Sequence, residues 1–354
     1  MAIPLSDIRR RIDTIDTQLV KLLSARAGLA QQAWIAKGGL AAYKPEREAQ
    51  VLRRIRELNP GPISAAALSR LFTEVMSACR ALEDQLAVAY LGPEGTFSQE
   101  AVVKHFGSAT GTQAHASIDA VFRAVETAGA GYGVVPVENS TEGAVGRTLD
   151  LLLNTSARIC GEVMLPVRQC LMSKAASRKA IRKVYSHTQS LAQCQAWLAQ
   201  HLPDAHTVAV ISNAEAARMA SKDVHAAAIA SRTAASLYGL RLLARNIEDD
   251  AKNTTRFLVL GSEDVSPSGH DKTSLVLSTR NAPGAIHDLL APLAKHQVSM
   301  TRLESRPART GLWEYVFYVD LEGHQQEPKL AKALQALGRK ASWMKVLGSY
   351  PAAR

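Results

Sequence analysis

From Ser6 to about Leu86 the apolar positions recur at three- and four-residue steps. Ile8, Ile12, Ile15, Leu19, Leu22, Leu23 and Leu29 carry the spacing of one helical face. Ser6 is expected as an N-cap, and the pattern runs to about Lys37 before stopping at Gly38-Gly39. Pro45, whose fixed φ suits a first turn, opens a second helix that ends near Asn59-Pro60-Gly61-Pro62. A third is expected from about Ser64 to Gln85. This segment is predicted to be three helices without a strand.

Beyond Ala87 the period changes. Short apolar runs at Val88–Leu91, Gly133–Val137, Val184–Ser186, Val208–Ile211, Ala226–Ala230 and Phe257–Leu260 alternate with helical stretches at Ser98–Phe106, Gly143–Leu153, Leu191–His201 and Glu215–Ser221. Such alternation predicts an α/β domain. Ser262–Lys272, rich in Ser, Gly, Pro and Asp, reads as a linker. A strand at Thr273–Ser278 follows, then a helix at Ile286–His296 entered through Asn281-Ala282-Pro283-Gly284. Strands at Ser299–Ser305 and Trp313–Asp320, a helix at Pro328–Leu337 and a strand at Met344–Ser349 complete a βαββαβ, ferredoxin-like order. The expected domains are 1–86, 87–262 and 273–350, in a multidomain α and α/β chain.

With 47% hydrophobic residues and no long polar tract, the chain reads as globular. No apolar run approaches the length that spans a bilayer, and the start lacks the apolar core of a signal peptide, so a cytoplasmic, non-membrane protein is expected. Cys79, Cys160, Cys170 and Cys194 read as free thiols with no C-x-x-C pair, which argues against a metal or redox centre; no cofactor is expected. Lys and Arg exceed Asp and Glu by ten, 42 against 32. The basic residues are dispersed and aromatics are sparse, unlike a nucleic-acid stripe, so small acidic substrates suit the balance better.

In the helical segment Arg26 and Lys37 are eleven residues apart, about 20° from alignment and about 16 Å along one helix. Two long cationic side chains at that spacing could hold a small dianion. Arg9 lies about 25 Å from Arg26 along the axis and about 100° around it. If all three serve one ligand, Arg9 must come from a second chain, which points to an intertwined dimer.

The segment resembles the all-helical chorismate mutases, whose motif is matched by Arg9, Arg26, Lys37 and Pro45-Glu46-Arg47-Glu48. The resemblance implies that Arg9 of a partner, Arg26 and Arg47 grip the two carboxylates of chorismate. Lys37 and Glu83 would hydrogen-bond its ether oxygen, and Glu48 its ring hydroxyl. The rearrangement is pericyclic, so positioning and charge stabilisation supply the rate. Many relatives carry Gln where this chain has Glu83, and Ser where it has Cys79, one turn earlier on the same face and likewise expected in the site. A carboxylate cannot donate to an ether oxygen, so Glu83 must work protonated, its pKa raised by burial.

In the α/β segment, Gly92-Pro93-Glu94-Gly95-Thr96-Phe97-Ser98 leads from a strand into a helix with Ser98 expected as its cap. Val135-Pro136-Val137-Glu138-Asn139-Ser140, Tyr185-Ser186-His187-Thr188-Gln189 with Gln193, and Asn253-Thr254-Thr255-Arg256-Phe257 each place polar groups at a strand end, where open α/β sheets bind ligands. Together these motifs resemble the prephenate dehydratases, which implies two α/β lobes around a cleft, like periplasmic binding proteins. The resemblance assigns Thr255 as the hydrogen-bond donor to the leaving hydroxyl, with Arg256 positioning a carboxylate. Thr96, Ser98, Glu138, Asn139, Ser140, Ser186, Gln189, Gln193 and Phe257 are expected in the substrate pocket. His187 is open between a general acid and a residue that shapes the strand end.

The last segment resembles the ACT domains of phenylalanine-synthesis enzymes, through Pro283-Gly284-Ala285-Ile286 and Thr301-Arg302-Leu303-Glu304-Ser305-Arg306-Pro307. Pro283 to Ile286 and Glu304 to Pro307 are expected to bury phenylalanine between two chains, backbone N–H groups meeting its carboxylate. The whole resembles the fused chorismate mutase–prephenate dehydratases: chorismate to prephenate to phenylpyruvate, under phenylalanine feedback, in a homodimer or a tetramer. Two alternatives stay open. One keeps the dehydratase with a weak or lost mutase; the other is a non-enzymatic, amino-acid-responsive scaffold.

Overall fold

The computed structural model describes residues 3–39, 43–83, 86–280, 282–308 and 315–353. Contacts divide the chain into a helical unit, Met1–Lys44, Val51–Leu86 and Phe106–Gly111, and a larger unit of the remaining residues.

In the helical unit α1 spans Leu5–Ala36 as one continuous helix. Lys37 caps it, and Gly38 and Gly39 follow at φ of 71° and 74°, a left-handed turn that only glycine enters freely. The helix α2 spans Pro45–Glu57 with its proline at the first turn. Ser64 Oγ accepts from Ala67 N–H to start α3, Ala65–Ala81. That helix ends before the expected Gln85, which lies outside the described residues; Glu83 instead occupies a turn, its N–H on the Arg80 carbonyl at 2.9 Å. The end of α3 buries Met76, Ser77, Cys79 and Arg80. There Arg80 lies 5.5 Å over the Tyr43 ring and donates to the Phe106 carbonyl. The periodic apolar face of α1 is not a core face in this chain: no residue of α1 is buried, and Leu19, Leu22 and Leu29 are 49%, 67% and 65% exposed.

The larger unit begins with a lobe made of β1 (Ala87–Leu91), α4 (Phe97–Phe106), β2 (Gly111–His115), α5 (Ile118–Glu126), β3 (Tyr132–Asn139), β4 (Gly143–Ala144), α6 (Gly146–Asn154) and β5 (Arg158–Pro166). A second lobe holds β6 (Cys170–Ser173), β7 (Lys183–His187), α7 (Thr188–Ala192), α8 (Gln195–His201), β8 (His206–Val210), α9 (Asn213–Ala220), β9 (Ala226–Ala230), α10 (Arg232–Leu237) and β10 (Arg241–Arg245). The chain then returns to the first lobe as β11 (Thr254–Gly261). The sheet orders are β2-β1-β3-β11-β5, with β4 against β3, and β10-β6-β9-β7-β8. The two crossings lie side by side: Val167 N–H donates to the Asn253 carbonyl at 2.9 Å and Ile247 N–H to the Gln169 carbonyl at 3.0 Å.

The C-terminal part is β12 (Asp271–Ser278), α11 (Ala285–Lys295), β13 (Met300–Pro307), β14 (Tyr315–Glu322), α12 (Pro328–Lys340) and β15 (Trp343–Pro351), the expected βαββαβ order. Asn281 and Trp313, assigned from sequence to its helix entry and third strand, lie outside the described residues. Its sheet runs β13-β14-β12-β15. One face packs Leu275, Leu277, Phe317 and Val319 beneath Leu289, Leu293, Leu330 and Leu334 of the helices. The other face, with Val276, Tyr318 and Tyr350, shares a core with Val137, Leu149, Ile159 and Leu258 of the first lobe. The approach is so close that a Cβ on Gly348 would lie 2.1 Å from the Ile159 carbonyl oxygen.

Five of the described strands were not anticipated: β2, β4, β5, β6 and β10, with β4 occupying the start of the expected Gly143–Leu153 helix. The expected Leu191–His201 helix is two short ones, and Ser98 lies inside the first turn of α4, which begins at Phe97, rather than at its cap.

Candidate active sites

Between the two lobes of the larger unit lies a cavity of about 790 Å³. Its first-lobe wall includes Gly92, Thr96, Ser98, His115, Asn139 and Thr255; its second-lobe wall includes His187, Gln189, Ser190, Gln193, Ser212, Asn213 and Glu215, and Gln169 lies at the crossing. Thr96, Ser98, Asn139, His187, Gln189, Gln193 and Thr255, taken from separate motifs, thus line one cavity. Gly92 is required here, since its N–H donates to the His115 carbonyl at 2.8 Å and a Cβ would meet that of Ala114 at 2.9 Å.

Asn139 organises the floor. Its Oδ1 accepts from Thr141 and Glu142 N–H at 3.0 and 3.2 Å, which fixes the amide's orientation. Its Nδ2 then donates to Asn253 Oδ1 at 2.9 Å and to Thr255 Oγ1 at 2.8 Å. A hydroxyl that accepts keeps its own hydrogen to give. Ser140 Oγ takes the N–H of Thr254 at 3.0 Å, so Ser140 pins the strand beside Thr255 instead of lining the cavity.

The second-lobe wall is a neutral network. Asn213 Nδ2 and Gln169 Nε2 donate to Ser190 Oγ at 2.8 and 2.9 Å, while Asn213 Oδ1 accepts from His187 N–H at 3.1 Å. Ser186 is fully buried behind it, against Ile229 O at 2.8 Å and Asn213 Oδ1 at 3.0 Å. His187 Nδ1 accepts from Gln189 N–H as the cap of α7, which places the proton of the neutral ring on Nε2. Among the described residues lining the cavity there is no Lys or Arg. The starts of α4 and α9 face it instead, and free N–H groups there favour an anion. The one carboxylate, Glu215, is bound by Arg218 at 2.7 and 2.5 Å, a hydrogen-bonded pair that lowers its pKa.

Besides Ser140 and Ser186, three further expectations are corrected. Arg256, only 7% exposed, points away from the cavity. Its Nε donates to Glu162 at 2.8 Å, Nη1 to Asp320 at 2.5 Å and Nη2 to Tyr350 at 3.0 Å, so all three nitrogens are engaged on the side away from the cavity. Burial works against its charge, but Tyr350, Asp320 and Glu162 outweigh burial and raise its pKa. Phe257 is core, and Glu138 faces the C-terminal sheet, where Arg302 Nε lies 2.8 Å from its carboxylate. Sequence reasoning missed His115, Gln169, Ser190, Asn213 and Glu215. Their one signal was position just after a strand or at a helix start.

In the helical unit, Arg26 Nη1 donates to Cys79 Sγ at 3.0 Å. Burial raises the pKa of Glu83, while Lys37, Arg80 and Arg26 pull it down without cancelling the rise. Arg26, Lys37, Cys79 and Glu83 therefore share one neighbourhood, whereas Arg9, near the far end of the same continuous helix, is exposed. Arg47 is exposed and Glu48 half-buried on the first turns of α2, among residues that go with the larger unit.

In the C-terminal part, Gly284 precedes α11 at φ 75° with nothing within 4 Å of a Cβ, and Pro283 and Ile286 are exposed beside the half-buried Ala285. Glu304 and Arg306 are half-buried and Ser305 and Pro307 exposed on the edge strand β13. Arg306 reaches Asp150 at 3.1 Å.

A helical unit with a cationic cluster, a two-lobed α/β body around a neutral polar cleft and a βαββαβ module define the class: a fused enzyme with a regulatory domain. Family models agree along the chain, chorismate mutase type II over residues 8–84, prephenate dehydratase over 88–265 and the ACT domain over 273–339. A bifunctional chorismate mutase/prephenate dehydratase of Neisseria gonorrhoeae is 52% identical across 98% of this chain and 96% of its own. One of Pseudomonas aeruginosa is 48% identical across 99% and 98%. Among solved structures, the prephenate dehydratase of Arthrobacter aurescens in complex with L-Phe matches at TM-score 0.70 and 31% identity, over 75% of this chain and 90% of that one. A protein described as a novel type of quorum quenching acylase matches equally at TM-score 0.70 and 31% identity, over 75% and 98%. The chain belongs to the bifunctional chorismate mutase/prephenate dehydratase family with a C-terminal ACT domain. It carries both activities, an isomerase and a carbon–oxygen lyase of phenylalanine biosynthesis.

Proposed function

We propose that the cleft holds prephenate with its leaving hydroxyl on Thr255 and its carboxylates on backbone N–H groups at the starts of α4 and α9. The carrying observation is that Thr255 Oγ1 already accepts from Asn139 Nδ2 at 2.8 Å, so its hydrogen is the part left for the substrate. The ring's C–carboxylate bond breaks to release carbon dioxide, and its electron pair enters the ring. The C–O bond at the opposite carbon breaks, and that oxygen leaves as water with a proton delivered through Thr255 and restored from solvent. Aromatisation drives the step, so orienting a weak acid suffices. Replacing Thr255 by Val, which keeps shape without the hydroxyl, tests this with prephenate as substrate; phenylpyruvate formed at the wild-type rate would remove Thr255 from the chemistry.

For the mutase, we infer that Arg26, Arg47 and a partner's Arg9 grip chorismate, with Lys37 and protonated Glu83 on the ether oxygen, Glu48 on the ring hydroxyl and Cys79 beneath. The exposed apolar side of α1 supports a homodimer built on that helix, since an isolated helix of this kind leaves its apolar stripe in water. The working division is 1–86 for the mutase, 87–262 for the dehydratase and 273–350 for sensing. Pro283 to Ile286 with Glu304 to Pro307 bind phenylalanine, which inhibits the dehydratase. The Arthrobacter complex with L-Phe supports that effector. Among the described residues no helix is long and apolar enough to cross a membrane, and the four cysteines are buried free thiols; both suit work in the cytoplasm.

A further inference from the structure

Four charged residues join the dehydratase to the ACT sheet in a two-by-two arrangement. Glu138 on β3 and Arg256 on β11 are register partners, as are Arg302 on β13 and Asp320 on β14. The pairs cross between the sheets: Arg302 Nε lies 2.8 Å from Glu138 Oε2, and Arg256 Nη1 lies 2.5 Å from Asp320 Oδ2. Successive residues of a strand point to opposite faces. The next register pair on the same two strands is Asn139 with Thr255, and their hydrogen bond faces the cleft. A β-bulge between Arg256 and Phe257 sets this local parity.

The two crossings differ in quality. Arg256–Asp320 is tied by aligned hydrogen bonds and by Glu162, Lys272 and Tyr350, while Asp320 Oδ1 also takes Ser274 Oγ. Arg302 is held by proximity of charge: its Nε and Nη2 are buried without an aligned hydrogen-bond acceptor among the described residues. The loosely satisfied crossing is therefore the one carried by β13, the edge strand that bears the sensing motif. A small shift of that strand changes it at little cost, whereas the Arg256 crossing resists.

We propose that the Glu138–Arg302 ion pair is the contact through which effector binding at the ACT domain reaches the Asn139–Thr255 pair, with Arg256–Asp320 as its fixed pivot. Movement of β13 displaces Arg302, which moves Glu138 and with it the amide of Asn139, one residue on, that aims Thr255. Arg302 is thus a positioning residue. The inference rests on Thr255 as the donor and phenylalanine as the effector.

The test uses the full chain. Phenylalanine binding is measured by calorimetry and dehydratase kcat and KM with prephenate, with and without saturating phenylalanine, for wild type, Arg302→Gln, Arg302→Lys and Glu138→Gln; mutase activity reports folding. Expected are Arg302→Gln and Glu138→Gln enzymes that bind phenylalanine yet lose at least about fivefold of its effect on kcat, within the usual range of coupling between sites. Arg302→Lys, which keeps the charge, retains inhibition. Glutamine variants that bind phenylalanine and are inhibited like wild type overturn the proposal. So do variants that no longer bind it, since Arg302 would then belong to the effector pocket. A wild type that binds no phenylalanine overturns the regulatory reading itself and this inference with it, and a Thr255→Val enzyme that still turns over overturns the donor reading separately.

Discussion

Thr255 and Arg256 are neighbours in sequence and belong to different machines. The hydroxyl of the first sits in the cleft under Asn139, and the guanidinium of the second closes an ion cluster with Glu162 and Asp320 on the opposite face. On a strand this division is forced by geometry.

For the cleft residue, removing the hydroxyl should be severe and local. Thr255→Ala is expected to lower dehydratase kcat by about 10²–10⁴, the usual contribution of a positioned proton donor, with mutase turnover unchanged. Asn139→Ala should lower kcat less, because the hydroxyl survives without its guide. Separate assays with prephenate and with chorismate check both.

For the buried residue the loss should appear as stability. Arg256→Leu leaves Glu162 and Asp320 without their partner, and breaking such a buried pair costs about 3–5 kcal/mol. A urea titration should show the transition at lower concentration, while KM for prephenate, measured below the transition, stays near wild type. A raised KM with an unmoved transition would return Arg256 to the binding site.

Glu83 gives a pH prediction. Burial holds its pKa above the ordinary carboxyl value, and the hydrogen bond to the ether oxygen requires the protonated form. Mutase kcat/KM is therefore highest below that pKa and falls as pH rises through it. Glu83→Gln, a donor at every pH, should flatten the profile. A wild-type rate independent of pH from 5 to 9 would contradict the role.

The distance between Arg9 and Arg26 along α1 gives a subunit-mixing prediction. Arg9→Ala and Arg26→Ala should each abolish mutase activity alone. Unfolded together and refolded, they should regain about a quarter of the wild-type sites, because half the dimers are mixed and one of their two symmetric sites is whole. No recovery would place both arginines in the same chain's site or in none.

The three helices of the first segment were readable because their period is strong and Gly38-Gly39, Pro45 and Ser64 punctuate it. What that pattern could not say was where the apolar face of α1 goes, since burial by a second copy leaves the same spacing as a core. In the α/β body, β2 (Gly111–His115) is polar and mostly exposed, so it lacks the apolar run that marks a strand. His115 at its end was missed with it. Gln169 and Asn213 reach the cleft from separate segments with no motif around them, and only the tertiary fold joins them. Arg256 was misread although strand alternation alone separates it from Thr255. The motif as a unit suggested a shared task that the backbone forbids.

The paired crossings between the lobes, Val167 against Asn253 and Ile247 against Gln169, end two residues from Thr255. If one lobe swings on the other, the Thr255 hydroxyl sits almost on the axle while the wall of His187, Ser190 and Asn213 travels the arc. Chemistry at the axle is then insulated from the size of the swing, and molecules of different bulk are sorted by how far the outer wall can shut.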